Sequence, residues 1–202
     1  MGVGKLTVQM FVTLDGVVQA PGGPEEDREG NFPHGGWQFP FLDEGSGAAM
    51  MQGIERMDAL LLGRKTYEIF AGYWPEAPAD NPFARKMNEV PKYVASRTLD
   101  EVDWKNARLI GDDLVTAVER IKADHSDVRV IGSSDFLQAL MADGLVDRFV
   151  LFVYPVILGN GKRLFPEGVD PTRFKLIESR AFESGALLVT YESDGKPTYG
   201  TM

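Results

Sequence analysis

The sequence contains no cysteine and only two histidines, His34 and His125. The lack of cysteine excludes disulfides, thiolate catalysis and any Cys-ligated zinc or iron–sulfur site. Two histidines are too few for a His-rich metal site, so we expect no metal. With 202 residues, 44% of them hydrophobic and 25% charged, the chain can bury enough surface to fold without such staples. The length of the chain predicts a single domain over residues 1–202.

Positive charge is also scarce, because 21 Lys and Arg residues against 30 Asp and Glu residues give a net charge of −9. Binding to nucleic acid requires a dense Lys/Arg surface, so we expect no nucleic-acid partner. No apolar run approaches the roughly 20 residues of a membrane span. The first residues also lack the charged region and long apolar core of a secretory signal. We therefore expect a cytoplasmic protein without a membrane partner.

Hydrophobic periodicity predicts an alternation of strands and helices. The predicted strands are residues 5–12, 59–62, 93–95, 108–110, 128–131, 148–153, 174–180 and 186–192. The predicted helices are residues 43–57, 64–70, 114–123 and 135–142. The third of these helices is expected to begin at a cap, Asp112 or Asp113, and the fourth to end at Gly144.

The order of these elements predicts an α/β fold. Strands and helices alternate first and strands dominate last, which indicates a mixed, mostly parallel sheet with helices on both faces and an antiparallel C-terminal hairpin. Residues 20–36, rich in glycine, proline and acidic residues, form a long loop. Loops of this length are usually lids, binding loops or disordered segments. Residues 194–202 are predicted to be a frayed tail.

Three predicted strands are each followed by residues suited to anions. These residues are Gly63, Arg64, Lys65 and Thr66 after one strand, Gly132, Ser133 and Ser134 after a second, and Ser96 and Arg97 after a third. Free N–H groups at a helix start attract anions, and arginine binds phosphate through two N–H groups. In open α/β sheets, ligands bind beyond the carboxyl ends of the strands. The alternatives are turns with solvated cations and, before Asp135, a satisfied helix cap.

The order and spacing of these motifs resemble the dihydrofolate reductase superfamily. The matching segments are residues 13–16 (TLDG), 62–68 (LGRKTYE), 96–97 (SR) and 130–133 (VIGS). More specific are residues 144–147 (GLVD) and 154–165 (YPVILGNGKRLF). They resemble the C-terminal reductase domain of the bifunctional riboflavin biosynthesis deaminase-reductase and its stand-alone relatives. The resemblance spans residues 5–192 and implies the three-layer dihydrofolate reductase-like fold.

NADPH is the cofactor that this resemblance implies. The positions that match the cofactor's phosphate contacts are Gly63, Arg64, Lys65 and Thr66. Those that match the surroundings of the adenosine 2′-phosphate are Ser96 and Arg97. Those that match the turn under the pyrophosphate are Ile131, Gly132, Ser133 and Ser134, the last standing where relatives often have glycine. Those expected beside the nicotinamide are Val12, Thr13 and the 155–161 loop with Leu158 and Gly159.

Hydride transfer to a C=N or C=C bond also requires a proton donor at the substrate. The candidates are Asp15, Asp43 and Glu44. The alternative for Asp15 is a turn-forming residue before glycine. Asp43 and Glu44 open the helix whose counterpart in dihydrofolate reductases carries the pteridine-binding carboxylate, and their alternative is a helix cap.

Aromatic residues precede that same helix. Trp37, Phe39 and Phe41 can stack on a flat heterocycle or pack in the core, and both interpretations stay open. Pro155 is a further candidate for contact with the substrate.

The resemblance predicts an NADPH-dependent reductase of the riboflavin-biosynthesis type, similar to 5-amino-6-(5-phosphoribosylamino)uracil reductase. Its substrate would be a pyrimidine or related heterocycle. The chain lacks the Cys-bearing zinc motif of the deaminase half. One alternative is a reductase of dihydrofolate, a pterin or another heterocycle, and a second is a non-catalytic NADP-binding homologue. An exposed apolar strand in the last third would also allow a homodimer.

Overall fold

The computed structural model describes residues 4–111 and 113–200. Its strands are β1 (Lys5–Thr13), β2 (Ala59–Gly63), β3 (Lys92–Ala95), β4 (Ala107–Ile110), β5 (Asp127–Ile131), β6 (Arg148–Tyr154), β7 (Phe174–Ala181) and β8 (Leu187–Ser193). Its α-helices are α1 (Glu44–Arg56), α2 (Arg64–Tyr73), α3 (Pro82–Glu89), α4 (Leu114–Asp124) and α5 (Ser134–Ala142).

The strands form a single eight-stranded sheet in the order β4-β3-β2-β5-β1-β6-β8-β7. The six strands from β4 to β6 in this order are parallel. Only β8 and β7 run antiparallel to their neighbours. The predicted mixed sheet with an antiparallel C-terminal hairpin is therefore confirmed. The carboxyl ends of the parallel strands lie at one common edge.

Helices cover both faces of the sheet because its central strands are apolar on both faces. All of β2 is buried. Ala59 and Leu61 share a core with residues of α4 and α5, whereas Leu60 and Leu62 share another with residues of α1, α2 and α3. This alternation places two helices on one side and three on the other, which confirms the three-layer arrangement. None of the helices in the described ranges is long and apolar enough to cross a membrane.

One helix, α3, is absent from the sequence-based prediction. Asn81 caps it by accepting the N–H groups of Phe83 and Ala84, and Pro82 occupies its first position. Both are recognised start signals, but the helix is only 8 residues long. In α4 the cap position is Asp113, which accepts the hydroxyl of Thr116. The other predicted cap, Asp112, lies outside the described residues.

Lys92 is fully buried at the start of β3. Its Nζ donates to the carbonyl oxygens of Asn88 at 2.9 Å and Lys105 at 2.8 Å, and it lies 4.3 Å from the ring centre of Trp104. Burial, together with repulsion from the charge of Lys105, lowers the pKa of Lys92 to about 8. The charged ammonium group is thus disfavoured in the folded state.

This burial makes stability depend on pH. Between about pH 8 and 10.5 the unfolded chain holds the Lys92 proton that the folded chain has released, so stability rises with pH through this window. We expect Lys92→Met to remove a rise of up to about 3 kcal/mol. Urea unfolding of both proteins across this range measures the difference. Lys175→Met, at an exposed position of β7, is the control, and equal slopes for all three proteins would contradict the expectation.

Candidate active site

A cavity of about 1010 Å³ opens at the edge where the parallel strands end. It is at the upper end of the usual range for small-molecule sites, roughly 300–1,000 Å³. Its walls are formed by the middle of β1, parts of α1 and α3, one side of α2, the start of α5, and the first half of the 20–36 loop. The sequence-predicted residues among its lining are Gly63, Arg64, Lys65, Thr66, Phe39, Ile131, Gly132, Ser133 and Ser134.

Two helix starts meet in this lining. α2 begins after Gly63, which has no side chain to cap it, and α5 begins after Ser133, whose side chain does not bond to its own helix. The two turns are joined by a hydrogen bond from the N–H of Gly63 to Oγ of Ser133, at 3.0 Å. A side chain at position 63 is excluded, because its Cβ would lie 2.7 Å from Cβ of Phe136. The first N–H groups of both helices are left to bind an anion at the cavity.

The cations at the start of α2 have different partners. Arg64 is exposed and pairs with Glu68 at 3.2 Å. Lys65 pairs with Glu29 of the 20–36 loop at 2.5 Å and lies 3.6 Å from Asp135. The bond with Glu29 raises the pKa of Lys65. An anion that binds Lys65 must therefore share the ammonium group with a carboxylate of the chain itself, or displace that carboxylate.

Ionic contacts hold the 20–36 loop against the cavity. Lys162 Nζ lies 2.6 Å from both Asp27 and Glu29. The bonds from Lys162 and Lys65 lower the pKa of Glu29 to about 2. Gln19 adds hydrogen bonds from its side-chain amide to the carbonyl oxygens of Asp27 and Glu29. The loop is thus a folded wall of the site, and the sequence alone had left open whether it was ordered.

Two predicted proton donors are engaged in structural hydrogen bonds. Asp15 accepts the Thr13 hydroxyl at 2.6 Å and the N–H groups of Leu158 and Gly159 at 3.2 and 2.8 Å. Burial alone would raise the pKa of Asp15, but these bonds outweigh it and lower the pKa. The structure places this carboxylate in a turn that anchors the 155–161 loop, outside the cavity lining.

Asp43 caps α1. Its carboxylate accepts the N–H groups of Ser46 at 2.7 Å and Ser184 at 2.8 Å. These bonds hold its pKa well below the ordinary value. Glu44 is exposed in the first turn of the helix and is likewise not part of the cavity lining. The helix-cap alternative therefore describes Asp43, and neither carboxylate reaches the cavity.

The aromatic residues divide between core and cavity. Trp37 is 7% exposed, donates its indole N–H to the carbonyl of Gln19 at 2.7 Å, and packs edge-on against Tyr154. Phe41 packs against the same tyrosine. Phe39 is 61% exposed and lines the cavity. The core interpretation therefore describes Trp37, whereas Phe41 is partly buried against the same cluster. Trp37, Phe41 and Pro155 all lie outside the cavity lining.

The segments expected beside the nicotinamide are also displaced from the lining. Val12 and Thr13 are buried at the end of β1, and Thr13 closes the turn by accepting the N–H of Val17. The N–H groups of Leu158 and Gly159 are directed at Asp15. The part of β1 that faces the cavity is instead Gln9 to Phe11. The four predicted residues therefore lie outside the lining, and their place beside the nicotinamide stays a prediction.

At the end of β3, Ala95 is the residue that lines the cavity. Ser96 follows it and uses Oγ to accept the N–H groups of Thr98 and Leu99, at 3.1 and 2.9 Å. Arg97 is exposed beside this turn. Both residues therefore lie at the predicted edge but outside the cavity lining.

Several polar residues of the lining were not singled out from the sequence. Gln9 is 2% exposed, and its Oε1 accepts Nη1 of Arg129 at 2.6 Å. Arginine only donates hydrogen bonds, so the amide NH₂ group is the part of Gln9 left for a ligand. Gln38 donates to the Tyr154 hydroxyl at 2.9 Å. For Gln9 the available signal was a polar side chain within an otherwise apolar strand, whereas Gln38 lies in a turn.

The remaining lining is largely apolar. It includes Met50, Ile54, Phe70, Trp74, Phe83 and Met87. An apolar wall with a few fixed polar groups is typical of sites for flat organic ligands. Within residues 4–111 and 113–200, no group of three or more His, Asp or Glu side chains is placed to hold a metal ion.

A model of the RibD C-terminal domain family matches residues 4–188 of this chain. The chain belongs to this family. It is 27% identical over 195 residues to YyaP of Bacillus subtilis strain 168, an uncharacterized protein, with 95% of this chain and 96% of that protein covered. The resemblance to the reductase domain of the riboflavin pathway is therefore confirmed at the level of the family.

Solved structures share the RibD-type fold. A putative riboflavin biosynthesis protein from Shewanella sp. PV-4 superposes with a TM-score of 0.67 at 23% identity, over 94% of this chain and 99% of that one. Dihydrofolate reductase from Enterococcus faecalis, in complex with NADP(H), superposes with a TM-score of 0.58 at 16% identity, over 95% and 98% of the two chains. The predicted dihydrofolate reductase-like fold is confirmed.

Proposed function

We propose that this RibD-type domain is an NADPH-dependent reductase of a pyrimidine or related heterocyclic substrate, similar to 5-amino-6-(5-phosphoribosylamino)uracil reductase. The observation that carries the proposal is the pair of uncapped helix starts, joined through Gly63 and Ser133, at one wall of a large cavity. Family membership supports the reaction type. The NADP(H) bound by the structurally similar E. faecalis enzyme supports the cofactor.

The residues at these turns fit a dinucleotide. The N–H groups that open α2 and α5 would hold the pyrophosphate, and Arg64 and Lys65 would supply full positive charges beside it. Gly132, with a φ of +72°, keeps side-chain atoms out of the space beside Thr66. Arg97, exposed at the next strand end, is proposed to reach the 2′-phosphate. When bound, the reduced nicotinamide supplies a hydride.

The substrate is proposed to occupy the apolar part of the cavity beside β1. Met50, Ile54 and Trp74 provide flat or flexible apolar surface there, and the Gln9 amide provides a hydrogen-bond donor whose orientation Arg129 fixes. This combination suits a planar ring that carries a carbonyl oxygen or ring nitrogen. The binding of such a ring and its reduction can both be measured directly.

The experiment that tests this function measures NADPH and NADH binding by fluorescence titration, then NADPH oxidation with a panel of heterocycles. The panel includes 5-amino-6-ribosylaminouracil phosphates and dihydrofolate. Absence of NADPH binding would reject the proposal. Oxidation with dihydrofolate that an antifolate inhibits would assign the pterin alternative, and tight NADPH binding without turnover would assign a non-catalytic homologue.

We expect the double variant Arg64→Ala, Arg97→Ala to weaken NADPH binding at least about tenfold more than NADH binding. Loss of Arg64 beside the pyrophosphate should weaken both cofactors, whereas loss of Arg97 should weaken NADPH alone, because only NADPH carries the 2′-phosphate and a charge-assisted contact contributes roughly 1.5–3 kcal/mol. Fluorescence titration of both cofactors gives the ratio of their dissociation constants. Arg120→Ala, on the exposed face of α4, is the control. An unchanged ratio in the double variant would show that the 2′-phosphate lies elsewhere.

The outer strand β7 supports the further proposal of a homodimer. It ends the sheet, and Leu176 and Ile177 on it are 51% and 46% exposed. An uncovered apolar edge strand tends to pair with another strand. Light scattering across a range of concentrations tests this, and a monomer at every concentration would reject it.

A further inference from the structure

Hydride transfer to a heterocycle must be completed by a proton, and the three carboxylates suggested by the sequence do not reach the cavity. Four other carboxylates line it: Glu25, Glu26, Asp27 and Asp135. Three of these four belong to the 20–36 loop. We therefore consider these four carboxylates as the source of the proton.

Three of the four carboxylates lie close to a cation of the chain. Asp27 pairs with Lys162 at 2.6 Å. Glu25 has a side chain that is 71% exposed and pairs with Arg28 on the surface. Asp135 is 70% exposed and lies 3.6 Å from Lys65. Each of these three carboxylates therefore lies next to a cation of the chain itself.

Glu26 differs in both contacts and burial. It is partly buried, and its Oε2 accepts the N–H of Gly22 at 2.6 Å. This bond spans four residues and fixes the carboxyl group within the loop segment that faces the cavity. The next residue, Asp27, is anchored by Lys162. The loop thus holds Glu26 at the cavity wall, and within residues 4–111 and 113–200 no cation pairs with its carboxyl group.

We propose that Glu26 donates the proton that completes reduction of the heterocyclic substrate. This proposal rests on the reductase function proposed above. As the carbon of the substrate C=N bond accepts a hydride, the O–H bond of Glu26 breaks and its proton forms the new N–H bond. The C=N bond becomes a single bond, and the Glu26 carboxylate regains a proton from water.

The electrostatics of Glu26 agree with this role. Burial raises the pKa of its carboxyl group, and this outweighs the N–H groups of Gly22 and Gly23, which lower it. The negative charge of Asp27 raises it further. The other charged side chains of the cavity lining are Arg64, Lys65, Glu25, Asp135 and Lys162. A general acid works best when its pKa lies towards the operating pH.

The first test is a titration of the free protein. In protein labelled with ¹³C at the glutamate side-chain carboxyl groups, the NMR signal that Glu26→Gln removes is that of Glu26. We expect this signal to titrate above the ordinary pKa of 4.5. A midpoint at or below that value would overturn the proposal, whatever the activity.

The second test is turnover with the substrate that the panel identifies. We expect Glu26→Gln to lower kcat about a hundredfold while the dissociation constant of NADPH stays within about twofold. Glu26→Asp, which keeps an acid on a shorter side chain, should recover part of the rate. Arg28→Gln, on the exposed side of the same loop, is the control for disturbance of the loop and should keep wild-type turnover.

The outcomes separate the two proposals. Wild-type turnover by Glu26→Gln would overturn the role of Glu26 and leave the reductase function intact. If Arg28→Gln loses as much turnover as Glu26→Gln, the effect belongs to the loop and the proton-donor role is rejected. A wild-type protein that binds NADPH and reduces none of the panel would overturn the reductase function, and the role of Glu26 with it.

Discussion

A valine at position 132 is expected to weaken NADPH binding at least about a hundredfold. Gly132 connects β5 to α5, and a Cβ there would lie 3.3 Å from Cγ2 of Thr66. The two methyl groups of valine would enter the space between the two helix starts. A phosphate oxygen must come within about 2.9 Å of an N–H group to bind it. Loss of two charge-assisted contacts, at roughly 1.5–3 kcal/mol each, gives a loss of this size.

The backbone strain of this change needs a matched control. Gly168 also has a positive φ, +86°, but a Cβ there would meet nothing within 4 Å. Gly168→Val therefore carries the same unfavourable backbone conformation, which costs about 1–3 kcal/mol, away from the cavity. Thermal unfolding should show a loss for both variants, and fluorescence titration a loss of NADPH affinity for Gly132→Val alone. Equal NADPH affinities in the two variants would show that the pyrophosphate does not bind at this turn.

The sequence was sufficient to predict the mixed sheet and the edge of the sheet at which the cavity lies. β2 and β5 are short and mostly buried, and a glycine ends the first and follows the second, which is a local property of each segment. Parallel strands bring their carboxyl ends together wherever they stand in the chain. Local patterns therefore placed Gly63 and Gly132 on the same wall, although 69 positions separate them in the numbering.

Local patterns could not choose between the alternatives for the acidic residues. The sequence allowed Asp15 to be a proton donor or a turn-forming residue, and two of the hydrogen bonds that decide this come from residues more than 140 positions away. Asp43 is bound in part by Ser184, at a similar separation. Glu26 gave no local signal, because its position at the cavity depends on how Lys162, 135 residues from Asp27, anchors the loop. Such contacts depend on the complete fold.

Arg129→Ala is expected to lower the free energy of unfolding by about 3–5 kcal/mol, the cost of breaking a buried charged network by removal of one partner. Arg129 is 4% exposed on β5. Its guanidinium group binds both carboxylate oxygens of Asp127 at 3.1 Å and Oε1 of Gln9 at 2.6 Å. Alanine leaves a cavity and three acceptor atoms without their donor. Urea unfolding measures the loss, with Arg120→Ala on the surface of α4 as the control.

A double-mutant cycle with Gln9→Ala separates the contribution of this hydrogen bond from that of packing. If the bond between Arg129 and Gln9 contributes in its own right, the two losses will not add, because either change alone already breaks it. Additive losses would mean that each side chain stabilises the fold independently. A loss below about 1 kcal/mol for Arg129→Ala would contradict the network altogether. Since Gln9 lines the cavity, coupling in this cycle would also show that a buried cation of the sheet sets the orientation of a group that faces the substrate.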